Sequence, residues 1–183
     1  MEHESGPAPG AAPVRPRRAR DLEACVQALA EVHHGDGYPV NWPADPARWL
    51  SPPSMLAAWV AELDGRVVGH VGLSRGDDGD AAPALWGRRQ GASAEATAVV
   101  SRLFVAPAAR GRGIGALLMR QAVRDARERA LHPVLDVVAS DTAAAALYER
   151  LGWELLATVE QRWGPAQTVA VRCYAAPPTT PAW

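Results

Sequence analysis

Residues 103–118, Leu-Phe-Val-Ala-Pro-Ala-Ala-Arg-Gly-Arg-Gly-Ile-Gly-Ala-Leu-Leu, constrain this chain more than any other run. An apolar, strand-like segment closes at Val105 and Pro107 marks a short turn. Arg110-Gly111-Arg112-Gly113-Ile114-Gly115 then leads into helix-forming residues. Glycine lets backbone N–H groups come close to an anion, because no Cβ intervenes. The first turn of a helix adds N–H groups without intrahelical acceptors and the positive end of the helix dipole. Arg110 and Arg112 add full charge. The run therefore reads as a site for a phosphate-bearing ligand.

The spacing excludes the two commonest nucleotide loops. A Walker-type loop requires Gly-Lys followed by Ser or Thr, and the chain contains no lysine. A dinucleotide fingerprint requires Gly-x-Gly-x-x-Gly, whereas position 116 is Ala and the third glycine is Gly115. The pattern that fits is Arg/Gln-x-x-Gly-x-Gly/Ala, running from Arg110 to Gly115. Further on, Asp141-Thr142-Ala143-Ala144-Ala145-Ala146-Leu147-Tyr148-Glu149-Arg150-Leu151-Gly152-Trp153 follows Asn-x-x-Ala-x-x-Leu-Tyr-x-x-x-Gly-Phe. Ala144, Leu147, Tyr148 and Gly152 match in register, Trp153 stands for the aromatic, and Asp141 replaces the Asn.

Together these motifs resemble the GNAT N-acetyltransferase superfamily, with the likeness extending over residues 57–160. The resemblance implies an α/β (α+β) fold, a mixed and mostly antiparallel sheet flanked by helices. It implies acetyl-CoA as cosubstrate, no metal, and direct attack of a primary amine on the thioester. Backbone groups of Leu103, Phe104 and Val105 would meet the pantetheine arm, and those of Arg110, Gly111, Arg112, Gly113, Ile114, Gly115 and Ala116 the pyrophosphate. Arg110 and Arg112 would add charge-assisted bonds. Tyr148, protonated at neutral pH with an ordinary pKa of about 10, would be the acid for the leaving thiolate. The central strand, Thr97–Val105, carries no carboxylate, so Glu95 is the nearest candidate base, with Ser101 through a water and His70 as alternatives. An ionised Asp141 only accepts hydrogen bonds, which sets its cofactor contact against a simple helix-capping role.

Bulk properties bound the partners. A length of 183 residues suits one domain, placed at 13–175 between a disordered tail at 1–12 and a loose tail at 176–183. A formal charge of −1 gives no field for nucleic acid or an anionic membrane. Cys25 and Cys173 form no disulfide framework and read as small core residues. Without a signal-like segment or a long apolar run, a cytoplasmic protein is expected. An added C-terminal strand leaves room for a homodimer.

The local patterns predict a strand at Val14–Arg18 and a helix from Asp21, its cap, to Gly35-Asp36-Gly37. Irregular chain follows over 38–53, with a short helix at Asp45–Leu50. Ala57–Leu63 and Arg66–Ser74 flank Asp64-Gly65 as a hairpin, and 75–94 reads as a long polar loop. A helix over Gly113–Ala130, a strand at Val134–Val138, a helix at Thr142–Leu151 and strands at 154–162 and 167–174 complete the order. Acceptor recognition is expected in 33–53, 76–95 and 161–166, with Trp42, Trp49, Trp86 and Trp163 as walls and Asp36 or Asp45 facing an ammonium. The small-amine N-acetyltransferase has two rivals: a CoA-binding regulatory or interaction module without catalysis, and nucleotide binding by the glycine loop.

Overall fold

The computed structural model describes residues 13–178. Seven strands form one sheet in the order β1-β2-β3-β4-β5-β7-β6. They are β1 (Val14–Pro16), β2 (Met55–Leu63), β3 (Arg66–Ser74), β4 (Thr97–Val105), β5 (His132–Val138), β6 (Glu154–Gly164) and β7 (Gln167–Ala175). Only β4 and β5 run parallel. The helices are α1 (Leu22–Asp36), α2 (Pro46–Trp49), α3 (Ala82–Gln90), α4 (Ile114–Glu128) and α5 (Thr142–Arg150). No helix among the described residues is long and apolar enough to cross a membrane.

The strand alternation divides the core by face. Trp59, Ala61, Val71 and Leu73 pack with Leu118, Met119 and Ala122 of α4 and Ala145 and Tyr148 of α5. Val60 points the other way and packs under Cys25, Leu29 and Val32 of α1. α3 shares that second face, with Ala82 against Val99, Val134 and Cys173. Both cysteines are buried and free. Asp64 (φ 52°) and Gly65 (φ 74°) turn the β2–β3 hairpin, the left-handed pair that matches strand twist. Pro16, which cannot donate to a ladder, sits in the edge strand β1.

Three expectations are corrected. The 75–94 segment is not all loop, because α3 occupies its middle. The start of α3 is held by Asp136 of β5, which accepts from the Ala81 and Ala82 N–H groups at 2.7 and 3.0 Å. That cap comes from a distant strand and leaves no local sequence signal. Asp21 does not cap α1; its carboxylate takes Arg15 at 2.8 and 2.9 Å and the Arg18 N–H at 2.6 Å. The guanidinium of Arg15 holds that carboxyl well below its ordinary range. Ala176, assigned to the tail, is buried and donates to Pro133 O at 2.9 Å. The expected tail at 1–12 lies outside the described residues.

Candidate active site

Two departures from regular sheet open the site. The parallel β4–β5 pairing covers only Thr97 to Val99. Beyond Val99 the strands separate, leaving the β4 backbone edge on that side free to meet a ligand. On its other side, β4 carries one extra residue opposite β3, since Gly72 pairs with Ser101 but His70 with Phe104. Arg102 is at the bulge, with φ 55°. The bulge inverts the alternation: Ala98 and Val100 face α4 before it, Leu103 and Val105 after it.

Buried His70 holds this bulge in place. Its Nε2 lies 2.9 Å from Arg17 Nη1, a group that only donates, so Nδ1 carries the proton and donates to Arg102 O at 2.8 Å. Burial pushes the His70 pKa down to about 4. His70 is therefore a neutral structural brace and lines neither cavity described below.

The gap between the strands continues into two adjoining cavities. The first, about 930 Å³, runs along Leu103–Val105 to Gly111, Gly113 and Gly115 at the start of α4. Gly111 (φ 77°) and Gly113 (φ 73°) adopt the left-handed conformation, and a Cβ on either would point into open space. The first α4 hydrogen bond is Leu117 N–H to Gly113 O, so the Ile114, Gly115 and Ala116 N–H groups have no acceptor within the helix. These glycines, the N–H groups without a helical acceptor and the helix dipole fit a pyrophosphate. Arg110 pairs with Asp36 and also donates from Nε to Val105 O at 3.3 Å. Arg112 is exposed and does not line the groove; Arg120 and Arg150, not singled out by the motif, do.

The second cavity, about 470 Å³, shares Tyr38, Val40, Leu103, Val138, Asp141 and Ala144 with the first. Tyr148 opens into it, buried against Trp153 and Tyr174 with ring centroids 6.1 and 5.9 Å away. Among the described residues its hydroxyl makes no hydrogen bond to protein, and burial raises its pKa. Asp141 caps α5, accepting from Ala144 N–H at 3.1 Å.

The far wall carries Asp77, Asp80 and Asp136. Asp136 is committed to α3, and Asp77 accepts from Gly79 N–H at 2.9 Å. Asp80 takes the Asp77 N–H on Oδ2 at 3.0 Å and has no bond to Oδ1. Burial pushes its carboxyl up to about 6. Nothing in Gly-Asp-Asp-Gly-Asp distinguishes Asp80 from its neighbours; only its partial burial does, since Asp77 and Asp78 are exposed.

Other expected residues lie elsewhere. Glu95 is exposed in a 3-10 turn before β4 and lines neither cavity. By the extended rise per residue it is roughly 25 Å along the strand from Leu103. Trp49 and Trp163 wall the second cavity, but Trp42 packs at a tilt against His33 and Trp86 stacks on His132. Asp36 pairs with Arg110 beside the first cavity, and Asp45 caps α2 through the Arg48 N–H. Among the described residues no three or more His, Cys, Asp or Glu cluster as metal ligands.

A splayed parallel strand pair, a bulged central strand and a glycine-lined helix start define an acyl-CoA-binding acetyltransferase architecture. The sequence matches the family "Acetyltransferase (GNAT) family" over residues 22–153, and the chain belongs to it. It is an acetyltransferase, and acetyl-CoA is the donor of that family. No curated protein sequence matches the chain. The fold is similar to the ribosomal-protein-S18-alanine N-acetyltransferase of Escherichia coli, with 16% identity, TM-score 0.66, and 94% of this chain and 97% of that one covered. It is also similar to a Salmonella typhimurium protein described as an acetyltransferase and solved with acetyl-CoA, at 19% identity, TM-score 0.67, and coverage of 94% and 97%. A GCN5-related N-acetyltransferase from Kribbella flavida superposes with 24% identity, TM-score 0.66, and coverage of 93% and 99%.

Proposed function

We propose that this protein transfers acetyl from acetyl-CoA to the primary amine of a small molecule, by direct attack on the thioester. The observation that carries the reading is the continuity of the two cavities. The glycine-lined cavity at the start of α4 meets an acidic and aromatic chamber at Leu103, Val138 and Asp141, and Tyr148 lines the chamber.

Bound acetyl-CoA supplies the activated acetyl group. The N–H groups at the start of α4 hold the pyrophosphate, and the free edge of Leu103–Val105 aligns the pantetheine arm. A backbone N–H on that edge is fixed in place before reaction, so stabilising a developing oxyanion needs little reorganisation. Tyr148 holds a proton at its phenol oxygen for the departing sulfur. The desolvation that keeps the phenol protonated also raises the proton affinity of a thiolate formed beside it. Asp80 takes the proton of the acceptor amine, directly or through one water, because it has an unbonded carboxylate oxygen and a pKa close to working pH.

Purified protein with acetyl-CoA and a panel of primary amines tests this through free-thiol release and product mass. Amine-dependent thiol with N-acetylated product is the expected result. Tight CoA binding without amine-dependent release would favour a non-catalytic CoA-binding module instead.

A further inference from the structure

One cation, Arg102, lines an acceptor chamber whose other charged residues are Asp77, Asp80, Asp136 and Asp141. Arg102 and Asp80 both line it, yet no carboxylate among the described residues lies within 4.0 Å of the Arg102 guanidinium. Arg102 is held firmly nonetheless. Its backbone is fixed at the bulge by His70, its Nε donates to Trp49 O at 3.3 Å, and its guanidinium carbon sits 4.1 Å above the centre of the Trp49 ring. Its two Nη groups have no acceptor among the described residues. A half-buried guanidinium fixed at Nε and stacked on one face presents its Nη groups as a planar fork, which matches a carboxylate.

A cation and a carboxylate facing one chamber without touching are both satisfied by a ligand that carries both charges. We propose that the acceptor is an amine that also bears a carboxylate, of the amino-acid type, with its acid group on Arg102 and its amine towards Asp80. This rests on the acetyl-transfer reading above and names the substrate class of that same site. The aromatic surfaces of Trp49, Tyr38 and Trp163 leave room for an apolar side chain within about 470 Å³.

The test compares L-amino acids with the corresponding amino acid amides. The amides keep the α-amine, remove the anion, and carry a less basic, more readily deprotonated amine. Chemistry alone would therefore favour them. The expected result is a kcat/KM for the acids at least tenfold above that for the amides. Arg102→Gln should cut this preference roughly 10- to 100-fold, the worth of one charge-assisted contact. The loss should appear as raised KM, and Arg102→Lys should recover part of it. Equal use of acids and amides by the native protein, or a preference that survives in Arg102→Gln, overturns the anion subsite and leaves acetyl transfer standing. Failure to acetylate any amine overturns the functional reading instead. Calorimetric titration of the CoA-loaded native protein with an amino acid and its amide then decides the subsite separately, tighter binding of the acid being expected.

Discussion

Replacing Asp80 with Asn should stabilise the fold while disabling the enzyme. The Asp80 carboxyl rises from 3.8 to about 6 because burial outweighs the Asp77 N–H bond that favours its charge. At neutral pH the folded protein therefore carries an ionised group in a place that disfavours ionisation. Each pKa unit corresponds to about 1.4 kcal/mol, so the upper bound is about 3 kcal/mol. Asp80 is only half-buried, and solvent screening reduces this to about 1–2 kcal/mol. Asn keeps an oxygen for the Asp77 N–H and has no charge to desolvate. For a chain of this size the gain should raise Tm by roughly 2–6 °C at pH 7.5. The sign follows from the raised folded pKa. The native protein is penalised once pH exceeds about 6 and is not penalised below about 4, so the gain should vanish there. In the same variant kcat/KM should fall roughly 100-fold or more, the usual contribution of a positioned base. The rising limb near pH 6 should disappear. Thermal melts from pH 4 to 8 and pH–rate profiles measure both effects. A Tm that drops at pH 7.5 would refute the burial argument, and an unchanged pH–rate limb would remove Asp80 as base.

Three further outcomes are expected. Tyr148→Phe should lower kcat at least tenfold with CoA affinity unchanged by calorimetry, since it removes only the proton donor; equal kcat would exclude the acid role. Gly113→Asp should weaken CoA binding at least tenfold by projecting bulk and negative charge to the phosphate end, at a folding cost of about 1–2 kcal/mol for its left-handed conformation; unchanged CoA affinity would move the pyrophosphate elsewhere. His70→Ala should destabilise the protein by about 2–4 kcal/mol at pH 7.5, leaving a cavity, removing the donor to Arg102 O and leaving Arg17 Nη1 with Leu50 O alone. Because folding holds His70 neutral down to about pH 4, that penalty should shrink as denaturation is measured from pH 6.5 towards 4.5; a penalty independent of pH would mean the imidazole is not buried neutral.

The sequence makes legible whatever is local. Glycine spacing before α4, the Asp64-Gly65 turn and the Tyr148 motif each carry their own short-range signal. What is not legible depends on contacts between distant segments. α3 is capped by Asp136 from β5, so its polar flanks read as loop. The β4 bulge depends on His70 and Arg17, and nothing in Val-Val-Ser-Arg-Leu-Phe announces a one-residue slip. The candidate base follows the same rule. Glu95 is the carboxylate nearest to β4 along the chain, whereas Asp80 lines the chamber, half-buried, with Oδ1 unbonded and its pKa raised by burial.

The most direct test is amine-dependent thiol release from acetyl-CoA, followed with the L-amino acid panel and confirmed by the mass of the N-acetylated product. Acetyl transfer through the joined cavities predicts stoichiometric thiol and N-acetyl product, slowed together roughly 100-fold or more in Asp80→Asn. Saturable CoA binding with thiol release no faster than in buffer, for every amine offered, would contradict it.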